Sequence, residues 1–125
     1  MLPRGIRNNN PLNIRKGKSK WKGEVSHLKG VPEEKEFCQF ETMTYGWRAA
    51  FLLLRRYVKN YKCNTVRKII SRWAPANENH TQTYIRYVAS KVAEGADGEI
   101  TYEGPAIMLI AAAMCEMENG VQHSP

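Results

Sequence analysis

Long hydrophobic runs are missing from this 125-residue chain. The longest, Ala106 to Cys115, has ten residues, far below the roughly 20 that a bilayer-spanning helix needs. It predicts a core helix instead of an anchor. The first residues, Met1-Leu2-Pro3-Arg4-Gly5-Ile6-Arg7, contain no apolar stretch of the kind a secretory signal requires, so synthesis in the cytoplasm without an export signal of its own is expected. Cysteine is scarce as well. Cys38, Cys63 and Cys115 are odd in number, have no metal-ligand spacing and stand among apolar or aromatic neighbours, which argues against a disulfide framework or a zinc site and makes them small hydrophobes. His27, His80 and His123 are scattered. There is no Walker or Rossmann glycine pattern, and no Ser or Cys carries a nucleophile signature. No cofactor or metal is expected.

Charge of one sign is absent at each end. No acid precedes Glu24, whereas Arg4, Arg7, Arg15, Lys16, Lys18, Lys20 and Lys22 do, and no Lys or Arg follows Lys91. Residues 1–91 hold all 19 basic residues against six acids, a balance of +13, and residues 92–125 hold six acids and stand at −6. The N-terminal segment should therefore carry a positive field that draws in polyanions, of which nucleic acid and cell-wall polymer are two.

An apolar share of 42% at this length is ample for one core and too little for two, so a single domain over 1–125 is expected. Asn8-Asn9-Asn10-Pro11 is turn chemistry within an otherwise irregular first 20 residues. Trp21–His27 and Glu36–Phe40 can pair as a short hairpin across Lys29-Gly30-Val31-Pro32. Tyr45, Ala49, Leu52, Leu53 and Tyr57 keep helical spacing with Arg55, Arg56, Lys59 and Lys62 outside, which predicts a helix over 43–61. A second helix is predicted over 65–73, capped by Asn64 or Thr65 and stopped by Ala74-Pro75. A third begins near Asn79 or His80 and buries Tyr84, Ile85, Val88 and Val92. The fourth starts with Pro105 in its first turn and ends at Gly120. Its apolar middle predicts protein on every side. Gly95 to Gly104 is expected to be a surface loop. The plan is mainly α (α+β), with helices around a central C-terminal helix and a small N-terminal irregular or hairpin lobe.

The stretch Arg4-Gly5-Ile6-Arg7-Asn8-Asn9-Asn10-Pro11-Leu12-Asn13-Ile14-Arg15, then Trp21-Lys22-Gly23, resembles the Arg-Asn-Asn-Asn-Pro signature of a phage and prophage family of virion-associated or muralytic proteins in the lysozyme-like superfamily. Phe37-Cys38-Gln39-Phe40-Glu41, Tyr45-Gly46-Trp47-Arg48-Ala49-Ala50, and Ser71-Arg72-Trp73-Ala74-Pro75 with Asn77-Glu78-Asn79-His80-Thr81 extend the resemblance over nearly the whole chain. It implies a lysozyme-like fold acting on the MurNAc-GlcNAc strand of peptidoglycan as a lytic transglycosylase or muramidase, with phage virion components as further partners. Release to the wall would follow a phage-, holin- or machine-dependent route. A non-catalytic wall-binding or virion structural protein, and a basic DNA-binding accessory protein, stand as alternatives.

Asn13-Ile14-Arg15 to Trp21-Lys22-Gly23 more distantly resembles flagellar-type hydrolases, and Thr81 to Val88 a helix of lytic transglycosylases; in their familiar order a helix ending in Glu-Ser-Gly carries the acid ahead of these elements. That helix has no counterpart before Asn13. Ala111 to Gly120, ending in Glu118-Asn119-Gly120, resembles it, so the chain is read as a circular permutation with Glu118 as the catalytic acid. A general acid must hold its proton near neutral pH, which calls for desolvation or negative neighbours. Glu118 stands at the negative end of an apolar helix with Glu116 two residues away. Glu41, at a helix start beside a basic segment, is cast as charge stabiliser or helix partner, and Glu24, Glu33, Glu34 and Glu36 as possible second carboxylates. Asn8, Asn9, Asn10 and Asn13 offer amides to N-acetyl groups and Trp21, Trp73 and Tyr84 offer rings for sugars, with turn formation preferred for Asn10 and core packing for Trp73; Tyr45 is added through the family text. Asn77 and Glu78 join them through the family text, and Tyr84 by its likeness to the tyrosine that faces the transglycosylase acid.

Overall fold

Helix-forming periodicity and capping residues account for most of the architecture. The computed structural model describes residues 2–75 and 78–120, of 78 and 79 the backbone alone. In chain order it contains α1 (Arg4–Arg7), β1 (Glu24–Val25), β2 (Gln39–Phe40), α2 (Met43–Asn60), α3 (Val66–Trp73), α4 (Glu78–Ala89) and α5 (Ala106–Asn119). The protein is thus mainly helical with a minimal sheet. The chain partitions into two compact units, one of Met1–Ala50 with Cys115–Pro125, the other of Phe51–Met114.

In the first unit β1 and β2 pair antiparallel, Glu24 opposite Phe40 and Val25 opposite Gln39. The pairing lies inside the segments the sequence suggests but is only two residues long. An isolated bridge joins Arg15 to Phe37. Leu12, Ile14, Cys38 and Phe40 are buried. The first 20 residues are less irregular than expected: Arg4–Arg7 forms one helical turn, closed when the Asn10 N–H donates to the Gly5 carbonyl at 2.8 Å. Composition does not announce this turn, because it is held by that following Asn-rich loop and not by helical periodicity.

α2 covers nearly the predicted span, but its buried stripe is rotated. Gly46, Ala49, Ala50, Leu54 and Val58 are buried, and Tyr45, Leu52, Leu53 and Tyr57 only half so. Small residues at 46, 49 and 50 let other chain approach more closely than the larger apolar residues would. A Cβ on Gly46 would collide with the Asn9 carbonyl oxygen.

In the second unit Thr65 caps α3, its hydroxyl accepting from the Lys68 N–H at 3.1 Å, which decides between the two cap residues the sequence allows. α3 packs on α4, and Tyr84, Ile85 and Val88 are buried as the spacing predicts, whereas Val92, also buried, stands beyond the helix end at Ala89. The loop after α4 is tied to α3: the Arg67 N–H donates to Ala96 O and the Arg67 guanidinium to Asp97 at 2.7 and 3.1 Å, and the Ile100 N–H donates to Asn64 O. On α5 the expectation of all-round burial fails, since Met108 is 64% and Leu109 49% exposed. An apolar run has no polar face from which its outward side can be read. Pro105 stands just before α5, its carbonyl accepting from the Met108 and Leu109 N–H groups, and Gly120, at φ 94°, follows its last residue. No helix among the described residues is long and apolar enough to cross a membrane.

Candidate functional site

The Asn-rich segment is built by side chains replacing secondary structure. Asn10, fully buried, donates from Nδ2 to the carbonyls of Ile14 and Cys38, both at 3.0 Å, and accepts the Ile14 N–H on Oδ1 at 2.9 Å. Short polar side chains make such backbone substitutes readily. Asn9 and Asn13 hold left-handed backbone angles, φ 55° and 53°, which Asn tolerates better than most residues. Asn9 Nδ2 donates to Phe40 O at 3.0 Å.

Asn8 is fully buried. Its Nδ2 donates to Glu34 Oε2 at 3.1 Å and its Oδ1 accepts from Gln39 Nε2 at 3.0 Å. Gln39 in turn donates to Pro32 O and accepts the Leu28 N–H. Asn8 is therefore a structural residue and not a sugar contact, a correction forced by burial and by use of both ends of its amide. Glu34, 11% exposed at its side chain, also faces Arg4 at 3.5 Å and Arg7 at 3.6 Å. Arg15 pairs with Glu36 at 3.0 Å, and the guanidinium groups of Arg4 and Arg15 each lie 4.6 Å from the Phe37 ring centroid. Part of the positive field expected of the N-terminal segment is thus spent on acids brought back by the hairpin.

The same segment meets the last turn of α5 within the first unit. Asn13 Nδ2 donates to Glu118 Oε1 and to the Glu118 backbone carbonyl, both at 3.4 Å. Asn119 Nδ2 donates to Pro11 O at 2.9 Å and to Cys115 O at 3.0 Å. A Cβ on Gly5 would overlap Asn119 Oδ1, so α1 also lies against this turn. The Glu118 side chain is half-buried, reachable from solvent yet fixed. Around it, burial pushes the Cys115 thiol up, against the lowering effect of its hydrogen bond from Asn119. Burial, with Glu24 second, pushes Cys38 up to about 12. Both are thiols, not thiolates, at neutral pH.

The other expected residues separate into groups. Glu116 is half-buried, and at 3.6 residues per turn it projects about 160° away from Glu118, so the two do not share a site. Glu41 is exposed and precedes α2, whose first turn is capped by Thr42 Oγ1 accepting the Tyr45 N–H; the role of helix partner passes to Thr42. Glu24 Oε1 accepts the Trp21 N–H at 3.0 Å. Trp21 and Tyr45 are half-buried, the Tyr45 ring packed close over Gly23. Tyr84, in the second unit, is 1% exposed with its hydroxyl donating to Met114 O at 3.5 Å, a core residue and not a groove wall. Asn77 and the Glu78 side chain lie outside the described residues. Sequence reasoning missed Asn119 and Gln39, both uncharged amides whose partners are distant in the chain; the only local signal for Asn119 is its place between Glu118 and the helix-ending Gly120. Among the described residues no group of three or more His, Cys, Asp and Glu is placed to hold a metal.

No family model matches the chain. It is similar to "Protein P5" of Pseudoalteromonas phage PM2, 39% identical over an alignment of 121 residues that covers 94% of this chain and 71% of that protein.

Proposed function

The chain belongs to the family of that phage protein P5, and we propose, on the contacts of its Glu118 turn, that it is a muralytic protein of lysozyme-like, circularly permuted fold that cleaves the MurNAc-GlcNAc strand of peptidoglycan with Glu118 as its acid. The observation that carries the reading is the bonding of Asn13 and Pro11 to Glu118 and Asn119. A permuted chain requires the end of its last helix to lie against the segment that follows the acid-bearing helix in the ordinary order, and the bonds across more than 100 residues are of that kind.

In the reaction, Glu118 donates its proton to the glycosidic oxygen as the bond to the MurNAc C1 breaks. The Asn13 amide, donating to Oε1, suits the carbonyl oxygen of a protonated carboxyl and fixes the rotamer. The resulting carboxylate then takes the proton of the MurNAc 6-hydroxyl while that oxygen closes on C1, leaving a 1,6-anhydro end. Hydrolysis would instead need a second carboxylate at a defined separation. Of the four possible second carboxylates, Glu34, Glu36 and Glu24 are engaged by Arg4 and Arg7, by Arg15 and by the Trp21 N–H, and Glu33 is exposed; the three engagements favour the one-carboxylate route.

Mass spectrometry of peptidoglycan digested by the purified protein tests the reading. Anhydro-ended muropeptides are expected; reducing ends would move the chain to the hydrolases. Co-sedimentation with peptidoglycan without soluble products would make it a wall-binding or virion structural protein. Glu118→Gln should cut the rate by about 10²–10⁴ with unchanged circular dichroism, and undiminished lysis would remove Glu118 from its role.

A further inference from the structure

Between Glu41 and Glu78 the chain contains no acid and eight Lys or Arg residues: Arg48, Arg55, Arg56, Lys59, Lys62, Arg67, Lys68 and Arg72. Seven of them belong to the second unit, and there Arg67 turns to Asp97 of the following loop. The catalytic reading makes no use of this block.

Its geometry centres on the end of α2. Arg55, Arg56, Lys59, Asn60, Tyr61 and Lys62 are all exposed. At 3.6 residues per turn, Arg55 and Lys59 share one side of the helix, Tyr57 falls nearly opposite, and Arg56 and Asn60 lie between. Each flank of this exposed arc ends in an aromatic ring with cations on it. On one side the Arg55 guanidinium and the Lys59 ammonium lie 5.8 and 5.4 Å from the Tyr102 ring centroid. On the other, the Arg72 guanidinium sits 4.0 Å from the Tyr61 centroid and 5.5 Å from that of Tyr57, and Tyr57 meets Tyr61 edge-on. A guanidinium laid over a ring keeps its in-plane N–H donors for phosphate oxygens while the ring fixes its orientation. Lys62 holds φ 58°, a left-handed position that glycine or asparagine would occupy with less strain, yet it carries a cation.

We propose that this face of the second unit is a binding surface for single-stranded nucleic acid, with Arg55, Lys59, Lys62 and Arg72 meeting phosphates and the 47%-exposed Tyr61 stacking on a base. The dense charge fits a polymer with a phosphate in every repeat, and stacking on a surface ring requires a base that is not already paired. The surface uses none of the residues assigned to the muralytic reading and does not depend on it.

Fluorescence anisotropy of a labelled oligothymidylate with the full chain, titrated across salt concentrations, tests it. Saturable binding is expected, with log K falling linearly with log salt at about 0.7 per phosphate contact. The double variant Arg55→Gln/Lys59→Gln should lower that slope by about 1.4. Tyr61→Ala should weaken binding about tenfold and Tyr61→Phe should restore it, because the ring both stacks on a base and orients Arg72. The absence of saturable binding at low salt, or equal binding by the folded variants and the parent, would overturn the proposal. Tighter binding of duplex DNA, peptidoglycan fragments or anionic vesicles, lost in the same variants, would equally overturn it and assign the face to that partner.

Discussion

Asn119 clamps the last turn of α5 to the Asn-rich segment through its Nδ2 bond to Pro11 O, beside the bonds of Asn13 to Glu118. Asn119→Ala leaves the buried Pro11 carbonyl without its donor, although it also removes Asn119 Oδ1, a buried acceptor with no partner among the described residues. The net cost is expected to be about 1–2 kcal/mol, read as a lower urea midpoint at unchanged slope; an unaltered midpoint would show that the clamp contributes nothing. The two shifted thiols give a second test at this scale. Cys38 is a thiol whose folded-state pKa is raised, from 9.0 to about 12. The folded state therefore holds the proton more tightly than the unfolded one, so the stabilisation is complete below pH 9 and is lost as pH rises from there toward 12. Above pH 9 the stability of the parent should fall more steeply than that of Cys38→Ala, by at most about 1.4 kcal/mol per pH unit. Parallel curves would refute the assignment. Iodoacetamide mapping at pH 8 should likewise leave Cys38 and Cys115 unmodified until denaturant is added.

The helices were legible because their cues are local: spacing of three and four, Thr65 before α3, Gly120 after α5. What those cues do not carry is rotation. The α2 stripe runs through Gly46, Ala50, Leu54 and Val58, and the small residues in it look neutral in composition although their smallness is what permits contact. Gly46→Ala should therefore be among the most damaging changes in the first unit, about 1–3 kcal/mol, because its Cβ meets a backbone carbonyl, which cannot turn aside as a side chain can. Thr65→Ala removes only a cap and should cost about 1 kcal/mol. Thermal melts of the two variants order the effects; the reverse order would mean that the Asn9 loop moves freely. The N-terminal lobe was the least legible element. Its framework is Asn10 to Cys38, Asn8 to Glu34 and Asn13 to Glu118, pairs 26 to 105 residues apart, and asparagine in sequence states a capacity for such bonds without naming their partners. The resemblance pointed to Glu118, whereas Asn13, which hydrogen-bonds to it, was expected to hold sugar.

At the scale of the molecule, the order of segments is itself an experimental variable. The first unit is discontinuous, assembled from residues at both ends of the chain, and Gly5 lies against Asn119. A short flexible linker from Gly120 to the residues before Arg4 should therefore bridge without strain, since loop closure cost grows slowly with length. New ends can be opened between Glu103 and Gly104, in a loop where Thr101, Glu103 and Pro105 are exposed, leaving Tyr102 with Arg55 and Lys59. The resulting chain starts with α5 and continues into the Asn-rich segment, the hairpin and α2 to α4, which is the segment order that the proposed permutation assigns to the unpermuted fold. It is expected to fold with a cooperative melt and to release the same muropeptides as the parent. Folding without that shared product would leave the clamp intact but sink the permutation argument for Glu118, because the acid would then depend on something other than the contacts of α5 with Pro11 and Asn13. Failure to fold, with the linker lengthened and the break moved by one residue, would show that the connection from the 95–104 loop into α5 is needed for folding, which the surface character of that loop argues against.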